Sequence, residues 1–455
     1  MASHNPAVKI LETVRVSPFT NSPTHFSLTL TSLDAMVLKF PPVETLLFYQ
    51  LTASTLLRFN SEILPKLIHS LSLTLQHYLP LAGKLTWPPH AHLPIISYAP
   101  HDAVSFLVAE ANLDFNRLSA DDIRESPESR CLVPELLSSD EVASIMALQI
   151  TLFPNQGFCI GITTHHAVVD GSTAIAFMKS WAYLCTQLVV GKQHPSLLPE
   201  LIPFFDRRVL EDLTGFKASN IFEFKQRSLK LKDDLGVKNN SVRATLKLSH
   251  EDIKNLKEKI LSKLQEKIPT KQLNLSTFVV TYAYVLVCLV KARQMEDNKN
   301  VNFLFQVDCR SRLDPLLLAN YFGNCILARD ASVKASVFKE ENGVTNIAEK
   351  INDMVRDISE KGPLDGVVDR CKRIQNIVEA GEEFIRIGGS TRFKFYGVDY
   401  GWGKPKKVEI ISIDKTGAFT MLETGDGNGV EIGKVLSRHE METFKSLLVS
   451  GLQDP

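Results

Sequence analysis

At 455 residues the chain is longer than a single hydrophobic core usually grows, so two domains are expected. Its 44% hydrophobic and 22% charged residues exclude a disordered chain and allow sizeable cores. With 51 basic and 51 acidic residues and no basic run, nucleic acid and anionic membrane are excluded as main partners. Residues 1–19 hold no apolar signal-like run and no long uncharged apolar stretch follows, so neither a leader nor a membrane span is expected. The seven cysteines are odd in number, scattered, and free of CxxC or Cys/His ligand spacing. That pattern predicts small buried hydrophobes, no metal site and a reducing, cytoplasmic setting.

In chain order, FNSEILPKLIHSLSLTLQHY (59–78) repeats Ile63, Leu67, Leu71 and Leu75 at fours, a helical stripe with Pro65 near its start. SIMALQITLF (144–153) and FCIGITTHH (158–166) flank the turn PNQG. They predict a hairpin of two largely buried strands with two histidines at the exit of the second. STAIAFMKSWAYLCTQLVV, from residue 172, predicts a helix with Ser172 as N-cap and Ile175, Met178, Trp181 and Cys185 on one face. From 194 to 241 the composition shifts to a crossover expected to run over the surface. VRATLKLSHEDIKNLKEKI then gives a strand and a helix with Ser249 and Asp252 in capping-box spacing. LNLSTFVVTYAYVLVCLVKA is an apolar helix starting near Ser276 or Thr277, and VNFLFQVDCRSRL a strand ending on Asp308, Arg310 and Arg312. In the last third RFKFYGVDYGWG, KVEIISID and NGVEIGKVL read as short strands before a helix capped by Ser437 and Glu440. Two α/β layered domains are therefore expected, at 1–193 and 242–455, joined by the 194–241 crossover.

TTHHAVVDGST (163–173) sets two ionisable rings at the end of an apolar run. A histidine beside a buried strand is more often a hydrogen-bonded packing residue than a base. His165 keeps that reading, since it points to the face opposite His166 if the strand continues. Asp170 and Gly171 taken alone are turn residues. Further along come VDCRSR, then YFGNC (321–325), then VDYGWGKP (398–405). HHAVVDG, YFGNC and DYGWGKP in this order resemble the plant BAHD acyltransferases, over nearly the whole chain. Tyr400 stands where that family usually has Phe.

The resemblance implies a two-domain, chloramphenicol-acetyltransferase-like α/β fold, each domain a mixed sheet with flanking helices, with a solvent channel between them. It implies CoA-dependent acyl transfer with no bound cofactor. Acyl-CoA enters as co-substrate and the acceptor alcohol comes from the other face. His166 is then the general base, because a neutral imidazole near its own pKa suits removal of a hydroxyl proton. No covalent intermediate is needed, which fits the absence of a nucleophile elbow. Asp170 is implied to pair with Arg310 and fix the turn presenting His166. Asp399, Gly401, Trp402 and Gly403 are implied to form a shaped turn supporting the site. Asn324 and Ser390 are candidate donors to the developing oxyanion. Ser276 and Thr277, at a helix N-terminus, are either CoA-binding groups or a plain cap.

The look of YFGNC with FYGVDYGWGKPKKVEIISID and NGVEIG is that of the subgroup acylating phenolic, flavonoid and anthocyanin glucosides, usually from malonyl-CoA. A malonyl carboxylate needs a cation. Ala174 stands where some malonyl users have arginine, leaving Lys179, Arg392 or Lys394 for that task. The alternatives are a hydroxycinnamoyl or other aromatic acyl-CoA donor, a non-catalytic acyl-CoA-binding relative, and a thioester hydrolase. A monomer is expected.

Overall fold

The computed structural model describes residues 7–19, 25–51, 55–210, 227–231, 240–267 and 273–453. Among these residues the first half is built on a six-stranded mixed sheet. Its strands, in order, are Val8–Val16, Val104–Ala111, Met146–Phe153, Gly157–Thr164, Val43–Gln50 and Lys407–Ile410. The second half carries a seven-stranded sheet ordered Ile326–Lys334, Asn300–Asp308, Phe384–Gly388, Phe419–Glu423, Gly429–Ser437, Ser241–Ser249 and Arg124–Glu125. Each sheet is thus completed by a strand from the other half of the sequence. A smaller four-stranded sheet joins Phe26–Thr29, Ile95–Tyr98, Lys84–Thr86 and Val142–Ser144.

Two separate cores follow from the apolar periodicities. Leu67, Leu71 and Leu75 of the Leu64–His77 helix pack with Ile175, Met178 and Trp181 of the Gly171–Val189 helix over the first sheet. The Thr277–Ala292 helix is apolar on nearly every face because it is buried by the second sheet and by neighbouring helices. The expected hairpin forms, with Gly157 opposite Phe153 and Thr164 opposite Met146. The Ser249/Asp252 and Ser437/Glu440 capping boxes both form.

Four readings of the sequence change. RFKFYGVDYGWG is a loop with one turn of 3-10 helix at Phe395–Gly397, not a strand. Lys394 at φ 57° and Gly401 and Gly403 near φ 100° leave the extended region there. The helix after the histidines is capped by Asp170 rather than Ser172, the carboxylate Oδ1 accepting from Thr173 N at 2.9 Å. Two helices, Gly343–Lys361 and Val367–Glu379, occupy sequence to which no element was assigned; Ile347, Ile351, Met354 and Ile358 give the first its buried face. In the 194–241 crossover, Leu197, Arg207, Leu210 and Leu229 are buried, so its described stretches dip into both cores instead of lying on the surface.

Where Lys407–Ile410 crosses into the first sheet, charge is buried in bulk. Glu409 meets Arg124 and faces Arg243, which also pairs with Asp414. Lys407 lies 3.0 Å from Glu431 and 2.6 Å from Asp121. Removing one partner of such a lattice strands the others without water. Glu409→Ala is expected to cost about 3–5 kcal/mol of unfolding free energy in urea titrations, against under about 1 kcal/mol for the exposed Glu62 of the Arg58–Glu62 pair.

Candidate active site

The hairpin delivers the chain to Thr164, after which His165 N donates to Ile145 O at 2.8 Å and Val168 N turns back to His165 O at 2.9 Å. This turn sends the two rings to different places. His165 is buried, its Nδ1 accepting from Ala167 N at 3.2 Å. Burial, with help from the neighbouring His166 and Lys39 charges, drives its pKa down to about 3, so it stays neutral. His166 is half-buried, and of its two ring nitrogens only Nδ1 is both buried and unpartnered. Burial lowers the pKa of His166, opposed by its own carbonyl, by Asp170 and by the Asn324 side chain. Phe40, an exposed ring, stands edge-on to the His166 imidazole with centroids 5.8 Å apart.

Asp170 closes the turn and opens the Gly171–Val189 helix. Its Oδ1 accepts from Thr173 N and from Arg310 Nη2 at 3.1 Å; its Oδ2 accepts from Arg310 Nη1 at 2.8 Å and Cys325 N at 3.0 Å. Burial alone would raise the Asp170 pKa, but Arg310 and these backbone donors overcome it and hold the carboxyl below its usual range. Arg310 Nη2 also donates to Thr173 Oγ1 and to the carbonyls of Tyr321 and Gly323. Gly171 permits the start of this helix to lie under Phe393, whose ring would be 2.5 Å from any Cβ there.

A second buried pair, unread in the sequence, stands beside the first. Asp34 accepts from Arg207 Nη1 at 2.7 Å, and its Oδ1 accepts from Asn324 N at 2.8 Å and Asn324 Nδ2 at 3.0 Å. The other Nδ2 hydrogen of Asn324 goes to His166 O at 2.9 Å. Both amide hydrogens are therefore engaged, and the side chain offered as an oxyanion donor instead pins the backbone of His166. The capping box of Thr31 and Asp34 was a local sign of an ordered turn, but nothing local marked Arg207.

The other candidates divide. Ser390 is half-buried, its Oγ accepting from Arg392 N at 3.2 Å in the turn that leads to Phe393. Lys179, half-buried, and Lys394, exposed, both act electrostatically on Glu423, whose Oε2 is buried and unpartnered. Burial lowers the Lys179 pKa and raises that of Glu423. Arg392 is exposed and takes no part in that group. Ser276 Oγ accepts from Val279 N at 3.3 Å, so it caps its helix, with Thr277 exposed beside it. Asp399 Oδ1 accepts from Gly401 N at 2.7 Å and Gly403 N at 2.9 Å, and Asp399 O accepts from Thr186 Oγ1. Trp402 meets Phe158 edge-on at 6.1 Å, and Tyr400 meets Trp181 at 4.7 Å. Thr186 lies near the C-terminal end of the Gly171–Val189 helix, roughly 24 Å along it from Asp170. The DYGWG loop thus braces the far end of the helix that carries Asp170, and does not touch His166. Among the described residues no cluster fits a metal ion, and no helix is long and apolar enough to cross a membrane.

An imidazole is thus presented where two sheet-based halves meet, its turn fixed by buried carboxylate–arginine pairs. The chain belongs to the Transferase family, the BAHD acyltransferases, whose family model matches residues 7–448, and it is an acyl-transferring enzyme. It is 42% identical over 470 residues to malonyl-CoA:anthocyanidin 5-O-glucoside-6''-O-malonyltransferase of Arabidopsis thaliana, covering 100% of both chains. It is 40% identical to phenolic glucoside malonyltransferase 1 of the same plant, covering 98% of each. Vinorine synthase shares the fold, with TM-score 0.71 at 19% identity over 97% of this chain and 98% of that one.

The buried pair gives a double-mutant test. Asp170→Asn and Arg310→Ala are each expected to lower stability by about 3–5 kcal/mol, and the double mutant to lose at least about 1 kcal/mol less than their sum. Chemical denaturation of the four proteins measures this; strict additivity would mean the two side chains act independently.

Proposed function

We propose that this enzyme moves a malonyl group from malonyl-CoA to a hydroxyl of a phenolic, flavonoid or anthocyanin glucoside, with His166 as general base. The observation that carries the chemistry is His166 itself: a half-buried ring whose backbone carbonyl is tied to Asn324 and whose Nδ1 is turned inward. A neutral ring that carries its hydrogen on the inward Nδ1 leaves the Nε2 lone pair for the acceptor hydroxyl. As that proton passes to Nε2, the acceptor oxygen bonds to the thioester carbonyl carbon. The tetrahedral oxyanion then collapses, the carbon–sulfur bond breaks, and the proton on Nε2 passes to the departing CoA thiolate. Ser390 is the remaining candidate donor to the oxyanion. Asp170 works by holding the turn, since both its oxygens are spent on Arg310, Thr173 and Cys325.

Full-length similarity to malonyltransferases supports the donor. Among the described residues, Lys179 and Lys394 make no ion pair and share the influence of one carboxylate, Glu423, so positive charge is available for a malonyl carboxylate. Lys179 is near the middle of the Gly171–Val189 helix, and helical side chains tilt back toward the N-terminal end. The rival reading, an aromatic acyl donor, draws on buried Ala174 and on the Phe40 and Phe393 rings beside His166 and Gly171. We further propose domains at 1–193 and 242–455 around the 194–241 crossover, a monomer, and a cytoplasmic location.

Purified enzyme with malonyl-CoA and a phenolic glucoside is expected to release free thiol and malonylated glucoside in equal amounts. Thiol without acceptor would indicate a hydrolase, and no thiol a binding protein. His166→Ala is expected to lower turnover by about two to four orders of magnitude with the fold intact, and His165→Ala to act mainly on stability. Because burial puts the His166 pKa below 6.5, the base form persists below that pH. The acid limb of kcat/KM should therefore fall at a pH under 6.5, and a limb at or above it would remove His166 as the titrating group. Lys179→Ala should raise KM for malonyl-CoA by about tenfold while leaving acetyl-CoA nearly unchanged. Equal effects on both donors would favour the aromatic reading.

A further inference from the structure

Strand Phe384–Gly388 runs parallel to Asn300–Asp308, with Leu304 opposite Arg386. Ile385 on the first strand and Phe303, Phe305 and Val307 on the second point into the second core. Side chains alternate along a strand, so Arg386 shares the opposite face with Leu304 and Asp308. That face looks toward the site, because Asp308 Oδ2 accepts from Ser172 Oγ at 3.0 Å at the start of the Asp170-capped helix. Past Gly388, where the strand ends, the chain turns through Ser390 to Phe393, which lies on Gly171.

Arg386 is half-buried, its guanidinium 5.9 Å from the Phe384 ring centroid. It has no ion pair or hydrogen bond among the described residues, and exposed Glu383 acts on it only from beyond ion-pair range. The fully buried arginines are all answered. Arg124, Arg207, Arg243 and Arg310 meet carboxylates, and Arg329 and Arg370 meet backbone carbonyls. Burial without a partner disfavours the charge of Arg386, an expense that an incoming anion would relieve.

We propose that Arg386 is a specificity-determining residue that receives a phosphate of the acyl-CoA donor. The inference rests on the acyl-CoA reading above and assigns a subsite to it. A malonyl carboxylate and a CoA phosphate are both anions, and distance separates them. Leu304, beside Arg386, is four residues from Asp308, roughly 13 Å along the strand. A malonyl carboxylate sits one methylene beyond the thioester carbonyl, too close to His166 to reach Arg386. The pantetheine arm, built of two amide units, spans about as far as four extended residues, roughly 13 Å, and places its phosphates at that range.

Titration calorimetry with CoA and with pantetheine, which lacks phosphate, tests this on wild type, Arg386→Leu and Arg386→Lys. Arg386→Leu is expected to weaken CoA binding about tenfold and leave pantetheine binding unchanged, with Arg386→Lys recovering most of the affinity. Unchanged CoA affinity, or equal losses for CoA and pantetheine, would overturn the assignment. A change in the KM ratio of malonyl-CoA to acetyl-CoA would give Arg386 to the acyl carboxylate instead and also overturn it. Wild type that binds no CoA would sink the donor reading itself, an outcome separate from any effect of the substitution.

Discussion

The site depends on one carboxylate. Asp170 ends the turn that carries His166, caps the helix that follows, and accepts from both Arg310 and Cys325 N in the second half. A carboxylate with one such partner would be a cap, and with another a salt bridge. With all of them it fixes the position of the second half relative to the imidazole. The pair is buried, so its Coulomb gain is largely offset by desolvation, and its worth lies in geometry more than in net stability. Water cannot substitute for a lost partner there, so the arrangement tolerates few alternatives.

The second pair extends this logic. Asp34 and Arg207 come from the first sixty residues and from the crossover, and Asn324 connects them to the carbonyl of His166. The YFGNC segment thus reads two acids at once: Asn324 bonds to Asp34 and Cys325 to Asp170. Its side chains also divide, Phe322 packing in the first core and Tyr321 and Cys325 in the second. The segment is a staple between two hydrophobic cores, and the turn of His166 is held against it by charge-assisted hydrogen bonds.

What the sequence made legible was local. The hairpin, the helix after the histidines and two capping boxes follow from short-range patterns that tertiary contacts did not override. The pairing of Asp170 with Arg310 was implied by the family resemblance and the bland role of His165 by strand alternation, whereas the bonds from Thr173 N and Cys325 N were not read. Asp34 and Arg207 were not, because an ion pair between residues 173 positions apart leaves no periodic trace. RFKFYGV looked like a strand because its aromatic residues favour strands, whereas DYGWG already read as a shaped turn, and its glycines do take backbone conformations that strands exclude. The strand exchange at Lys407–Ile410 was equally hidden, since sequence places that segment with the second half and only packing assigns it to the first sheet.

That exchange explains how a distant loop bears on the turn of His166. The chain passes from the second sheet through Ser390–Phe393, then Asp399–Gly403, and only then enters the first sheet at Lys407. On this path it touches the Gly171–Val189 helix at both ends: Phe393 on Gly171, and Asp399 with Gly401 on Thr186 and Val189. A rigid helix held at both ends cannot slide along its axis, and its start is where Asp170 and the turn of His166 are set. The buried charges around Glu409 then lock the end of the path. The position of one imidazole is therefore determined by contacts spread over most of the chain, which is why the motifs that mark this enzyme lie so far apart in its sequence.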